Sequence, residues 1–128
     1  GMRMTTTPDE IAQALYESVA LRLAAIAELL TDLVTEDAVI VGGGGAIMHN
    51  RAWAQLIADA MNRPLHLTGE SEITARGAAV LALHALGNGV LSDYAPAIAE
   101  IIEPRSLAAD KLKAARVRQS TLYERLYG

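Results

Sequence analysis

Apolar and polar positions alternate along the chain with two different periods. Ile11, Leu15, Val19, Leu23, Ile26 and Leu30 recur every three or four places, the spacing of one helix face. Thr7-Pro8-Asp9-Glu10 ahead of them is a helix start, with a capping hydroxyl, a proline at the first helical position and a glutamate three residues after the cap. A long helix to about Leu33 is predicted, with that stripe in the core and Glu17, Arg22 and Glu28 on the wet side. Thr35-Glu36-Asp37 then turns the chain into Ala38-Val39-Ile40-Val41, apolar and mostly β-branched, which predicts a short buried strand. Gly42, Gly43, Gly44 and Gly45 follow. Beyond His49-Asn50-Arg51, apolar residues at Trp53, Leu56, Ile57, Ala60 and Met61 predict a helix over residues 51–62, which Pro64 forbids from continuing.

Leu65-His66-Leu67 has the two-residue period of a second short strand. Thr68-Gly69-Glu70-Ser71-Glu72 reads as a polar loop. An alanine-rich helix is expected over residues 73–86, with Gly77 inside it to admit a close neighbour and Gly87-Asn88-Gly89 to stop it. Residues 92–102 read as a short helix with Pro96 near its start, facing inward through Ile98, Ile101 and Ile102. Glu103-Pro104 ends it, and Ser106 is expected to cap a last helix to about Tyr127. Two short strands are fewer than an independent sheet needs. The pattern therefore describes a helix-rich α/β fold with few short strands, incomplete by itself.

Composition narrows this picture. A chain of 128 residues holds one domain. The hydrophobic content of 52 % and mean hydropathy of +0.22 are rich for this size and imply surface that belongs against another domain or subunit. Self-association into a homo-oligomer is the expectation. A formal net charge of −4 excludes the broad basic face of a nucleic-acid binder, and Lys111, Lys113, Arg116, Arg118 and Arg125 are spread around their helix. Cysteine is absent, which removes disulfides, thiolate metal sites and thiol catalysis. No apolar run approaches the roughly 20 residues that span a bilayer, so no membrane partner is expected and the chain reads as cytoplasmic. Gly1 before Met2 reads as a tag-cleavage remnant, residues 1–7 as a flexible N-terminus and residues 8–128 as the domain.

Candidate chemistry centres on the glycines. Strand, glycine turn and helix is the arrangement in which bare backbone N–H groups receive a phosphate or a nucleotide; equally, such a run serves only as a turn that needs positive φ or close packing. No Lys-Ser or Lys-Thr follows, which excludes the P-loop, and the dinucleotide fingerprint would need a glycine where Met48 stands. His49 has no second ligand at helical spacing, and His66 and His84 read as ordinary partly buried histidines. No metal site is expected.

Gly43-Gly44-Gly45-Ala46, Trp53-Ala54-Gln55, Ala58-Asp59 and Arg63-Pro64 closely resemble the C-terminal domain of FGGY-family carbohydrate kinases. Glu72-Ile73-Thr74-Ala75-Arg76-Gly77-Ala78-Ala79-Val80-Leu81-Ala82 resembles that family's next helix, and Gln13-Ala14-Leu15-Tyr16-Glu17-Ser18-Val19-Ala20 its preceding one. Order and spacing match over residues 11–87. The loop between Ala46 and Trp53, and Arg76, are similar to gluconate-kinase-like members; xylulokinase-like members are the other comparison.

The resemblance implies a partial actin-like (ribonuclease H-like) ATPase domain, one of two that flank an active-site cleft. It implies ATP or ADP as the nucleotide, with Gly43, Gly44, Gly45 and Ala46 beneath it and His49 or Asn50 beside the adenine. Asn50 is preferred, because its amide both donates and accepts. Mg²⁺ would bridge the phosphates, held mostly from a missing portion. The catalytic aspartate and the sugar pocket lie upstream of everything present, so no catalytic residue is assigned and the sugar is a partner only through that portion. The implied activity is transfer of the γ-phosphate to a hydroxyl of gluconate, xylulose or a similar sugar, with this chain a fragment that is inactive alone. A non-catalytic nucleotide-binding or dimerising module derived from a kinase is the alternative. Asp59 is expected in a hydrogen bond or ion pair on a helix surface, Glu72 and Thr74 as a cap and its partner, and Arg76 at the cleft or the surface.

Overall fold

The computed structural model describes residues 2–128; Gly1, read above as a tag-cleavage remnant, lies outside the described residues. Helix α1 (Pro8–Leu29) starts as its sequence requires. The Thr7 hydroxyl accepts from the Glu10 N–H, and the Glu10 carboxylate accepts from the Thr7 N–H at 2.8 Å, so both orphan donors are satisfied. The helix stops at Leu29 and a 3₁₀ turn at Thr31–Leu33 completes it.

The buried face of α1 corrects the expected one. Ala20, Leu21 and Ala24 are buried, whereas Ile11, Leu15, Val19, Ile26 and Leu30 are exposed, Leu15 at 65 %. Alanine explains this. Ala20 meets helix α3 (Arg51–Met61) at Ala54 and Ala58, all three at 0 % exposure, and small side chains let two helix backbones approach more closely than leucines would. Of the expected stripe only Leu23 reaches the core, half-buried against it; its other five residues face outward.

Strand β1 (Ile40–Gly42) pairs in parallel with β2 (Leu65–Thr68). A third strand, β3 (Ile98–Ile102), pairs antiparallel with β2, in the order β1-β2-β3. This overturns the helix expected over residues 92–102: a 3₁₀ turn at Leu91–Tyr94 is followed by strand. Pro96 has no N–H to extend a helix, and β-branched Ile98, Ile101 and Ile102 suit a pleated surface once β2 offers a free edge. The row Ile40–Leu65–Ile102 lies in register, and Leu65 and Ile102 are buried with Ile57, Ala54 and Ala58 of α3. The next row, Val41–His66–Ile101, points the other way, and Val41 and Ile101 stay about half exposed. Of the three isoleucines expected inward, only Ile102 is buried. One face of the sheet is thus covered by α3 and the other is open.

Helix α4 (Ile73–Ala85) touches little beyond the Leu91–Tyr94 turn and buries none of its residues. Beyond the helix's own backbone, no described atom lies within 4 Å of where a Cβ on Gly77 would stand, so the close neighbour expected there is not in the described residues. Glu72 occupies the N-cap position but makes no side-chain cap bond, contrary to the capping pair expected with Thr74. Gly87, at φ +77°, ends the helix as anticipated, with the Asn88 N–H on Leu83 O.

Helix α5 (Ser106–Tyr127) packs on α3 through Ala109 and Leu112. Its N-cap is Arg105, not Ser106. Asp59 of α3 explains the shift, because its carboxylate accepts from the Arg105 backbone N–H at 2.7 Å and from the guanidinium at 2.6 and 3.1 Å. No helix among the described residues is long and apolar enough to cross a membrane.

Candidate functional site

Parallel strands β1 and β2 end side by side, and the glycine turn leaves β1 at its carboxyl end. In open α/β sheets this is where ligands bind. Gly42 is buried against Leu65 and Leu67. Gly43 is tighter: a Cβ there would stand 2.6 Å from Thr68 Oγ1 and 3.0 Å from Ile73 Cγ2. Gly44 has φ +92° and ψ 156°, a region open essentially to glycine alone. Its carbonyl accepts from the N–H groups of Ile47 and Met48 at 3.2 and 3.1 Å. That starts a single helical turn, α2 (Gly45–Met48), which the sequence pattern did not reveal.

The six residues singled out from the sequence lie along this one turn. Gly43, Gly44 and Gly45 are half-buried, and Ala46 is exposed on the outer side of α2. His49 and Asn50, the two competitors for one role, are separated by the fold. His49 ends α2 and is exposed. Asn50 is half-buried as the N-cap of α3, its Oδ1 accepting from the Trp53 N–H at 3.0 Å. Such a cap is worth about 1 kcal/mol. Asn50 therefore keeps its amide N–H groups and one lone pair of Oδ1, the other being taken by the cap.

The loop after β2 closes the other side. The Gly44 N–H donates to Glu70 O over a long 3.4 Å. The Glu70 carboxylate pairs with Arg76 Nε at 2.9 Å, each side chain about a third exposed. A hollow of about 410 Å³ lies against this loop, lined by Gly69, Glu70, Ser71, Glu72, Ala75 and Arg76. A larger hollow, about 640 Å³, opens between α1 and α5 beside Val19 and Tyr123, away from the glycines. No group of three or more metal-ligating side chains occurs among the described residues.

Thr68, beside the turn, and Asp59, toward the end of α3, sit differently from what the sequence suggested. Thr68, read as loop, ends β2 at 2 % exposure, and its hydroxyl has no hydrogen-bond partner among the described residues. Asp59 makes the hydrogen bonds and ion pair expected of it, but at 1 % exposure and not on the surface. Burial pushes its carboxyl up, but the bonds from Arg105 and Gln55 outweigh that and hold it below the ordinary value of 3.8. The signal for Asp59 was present: it sits among Leu56, Ile57 and Ala60 on the apolar side of α3. His84 is exposed, with Nδ1 at 3.1 Å from Gly89 O, rather than partly buried; His66 is half-buried as expected.

Comparison with known proteins places this geometry. A family model described as "FGGY family of carbohydrate kinases, C-terminal domain" matches residues 1–86. Glycerol kinase 1 of Thermotoga maritima is 30 % identical over 87 residues, which are 68 % of this chain and 18 % of that protein. Among solved structures, a xyloylose kinase from Brucella ovis matches with a TM-score of 0.80 at 28 % identity, over 99 % of this chain and 27 % of that one. A xylulose kinase from Rhodospirillum rubrum matches with a TM-score of 0.78 at 25 % identity, over 99 % of this chain and 26 % of that one. The chain thus spans about a quarter of the solved structures it matches and under a fifth of the curated relative. Its helix-rich α/β architecture is that of the actin-like ATPase domain at the C-terminal end of sugar kinases. A glycine turn at the ends of two parallel strands, a matching fold and a matching family model agree: the chain belongs to the FGGY family of carbohydrate kinases, as part of its C-terminal domain.

Proposed function

We propose that this chain is the nucleotide-side piece of a cytoplasmic, ATP-dependent carbohydrate kinase, with Gly43, Gly44, Gly45 and Ala46 beneath the nucleotide and His49 and Asn50 at its base. The observation that carries the reading is the bare backbone of the turn, where Gly43 leaves no room for a Cβ and Gly44 takes a conformation reserved for glycine. A turn without side chains lets a phosphate-bearing ligand approach the peptide N–H groups directly. ATP would supply the transferred phosphoryl group; the residues here would seat and orient it. Mg²⁺, the proton-accepting carboxylate and the sugar pocket belong, on this reading, to the part of a kinase that the chain does not span. The substrate is a hydroxyl of gluconate, xylulose or a similar sugar or sugar acid, and the chain alone phosphorylates none of them. An ADP titration followed by backbone NMR tests the nucleotide site. Shifts centred on residues 42–45 and 49–50 are expected; unmoved resonances at millimolar ADP would overturn it.

A second reading, a module that self-associates, is favoured by exposed area. The chain exposes 9276 Å², whereas a compact monomer of 13.6 kDa exposes about 6,600 Å². The surplus exceeds the roughly 800 Å² per partner that a standard interface buries. It includes the α1 stripe, the open sheet row and α4, with Leu15, Val41, Ile101, Leu81 and Leu86 all exposed. A second copy docked there is the expected occupant, and sedimentation velocity should find a dimer. A strictly monomeric chain would leave that surface to the remainder of a kinase-length polypeptide and refute self-association.

A further inference from the structure

The Thr68 hydroxyl is an anomaly that the fold does not explain. It is buried at the end of β2, in a residue 2 % exposed, without a partner among the described residues, and a buried hydroxyl left unpaired is destabilising. It is aimed at the turn, since a Cβ on Gly43 would stand 2.6 Å from it. The backbone beside it is loosely held, with the Gly44 N–H reaching Glu70 O only at 3.4 Å. Apolar atoms occupy the neighbouring space, Ile73 Cγ2 among them at 3.0 Å from the same Cβ position.

We infer that Thr68 is a phosphate ligand held in reserve. When a nucleotide sits on the glycine turn, the Gly43–Gly44 backbone moves off the hydroxyl, which then donates to an oxygen of the nucleotide's phosphate chain. The unpaired hydroxyl destabilises the empty turn and becomes a bond in the filled one, so binding both relieves the penalty and gains the bond. Glycine at 43 is what keeps the path from β2 to the ligand free of side chain. This rests on the nucleotide reading above and adds a residue to it.

The test is Thr68→Val, which keeps the branched shape and replaces the hydroxyl by a methyl. Opposite signs are expected. The ligand-free melting temperature rises, because an unpaired polar group is gone. ADP affinity, measured by calorimetry, falls about tenfold, the value of one hydrogen bond. Adenosine, which lacks phosphate, loses no affinity, and Thr68→Ser stays near wild type for ADP. Wild-type protein that binds no ADP would refute the nucleotide reading and this inference together. Wild-type protein that binds ADP while Thr68→Val binds it equally well would refute the Thr68 role alone. A loss that is the same for adenosine would assign Thr68 to the shape of the turn instead of to phosphate.

Discussion

Gly43→Ala should destabilise the chain by about 2–3 kcal/mol, the upper range for adding a methyl to a closely packed site. The new Cβ would stand 2.6 Å from Thr68 Oγ1 and 3.0 Å from Ile73 Cγ2. Neither neighbour moves cheaply, because both side chains are β-branched with restricted χ1 and Thr68 is buried at the end of the central strand. Gly45→Ala is the control. Its nearest neighbour would be His49 Cδ2 at 3.8 Å, ordinary contact, and alanine is the better residue in the helical turn it begins. Urea unfolding of the two variants separates the cases: equal midpoints would show that the turn has room and that glycine at 43 has some other reason. Adding Thr68→Ala to Gly43→Ala should recover part of the loss, and a double-mutant cycle measures the coupling between them.

Asp59→Ala carries the other large effect, about 2–4 kcal/mol. The carboxylate is 1 % exposed and accepts four hydrogen bonds, from Gln55 Nε2 at 3.0 Å and from the backbone and guanidinium of Arg105. Removing it strands a backbone N–H at the start of α5 and frees Gln55. The Arg105 side chain is 66 % exposed, so the ion pair itself is screened and the expected loss stays below that for a fully buried pair. The pH dependence follows from the sign of the shift. Burial raises the Asp59 pKa, the bonds from Arg105 and Gln55 lower it by more, and the net value lies under 3.8. The folded carboxyl thus holds its proton less tightly than the unfolded one. Its contribution is present above about pH 4 and disappears as pH falls below 3.8 through the folded value. In thermal melts, Asp59→Asn should therefore lose less stability at pH 3 than at pH 7 relative to wild type. Asp37 is also held low, by its bond from the Thr35 hydroxyl, but it is unchanged in the variant and cancels. A difference independent of pH would mean that Asp59 acts through shape alone.

Local chemistry is legible in the residues themselves. The Thr7-to-Glu10 box, Pro8, the glycine turn, the helix over residues 51–62 and the stop at Gly87 involve groups a few places apart, and each is formed as anticipated. The family follows from the same kind of signal, since three blocks in the right order and spacing are local patterns too. The candidate site is legible as a place. Its residues lie together because they are consecutive in the chain.

Tertiary structure decided the rest, and in each case a partner distant in sequence was the reason. Residues 98–102 have enough helical spacing to mislead, and become strand because β2 supplies a row of backbone partners some thirty residues earlier. The stripe on α1 has the size of core, but Leu23 alone of it packs there, while Ala20 is inside because α3 presents Ala54 and Ala58 for close approach. Asp59 is buried instead of wet because Arg105 arrives from the far end of the sheet. Thr68 is one more residue of a polar loop until the parallel pairing of β1 with β2 sets its hydroxyl against Gly43. Amino-acid order alone determined the turns, the caps and the family. Which faces are dry, and which polar groups are left waiting for a partner, depended on the packing of segments that the order does not place side by side.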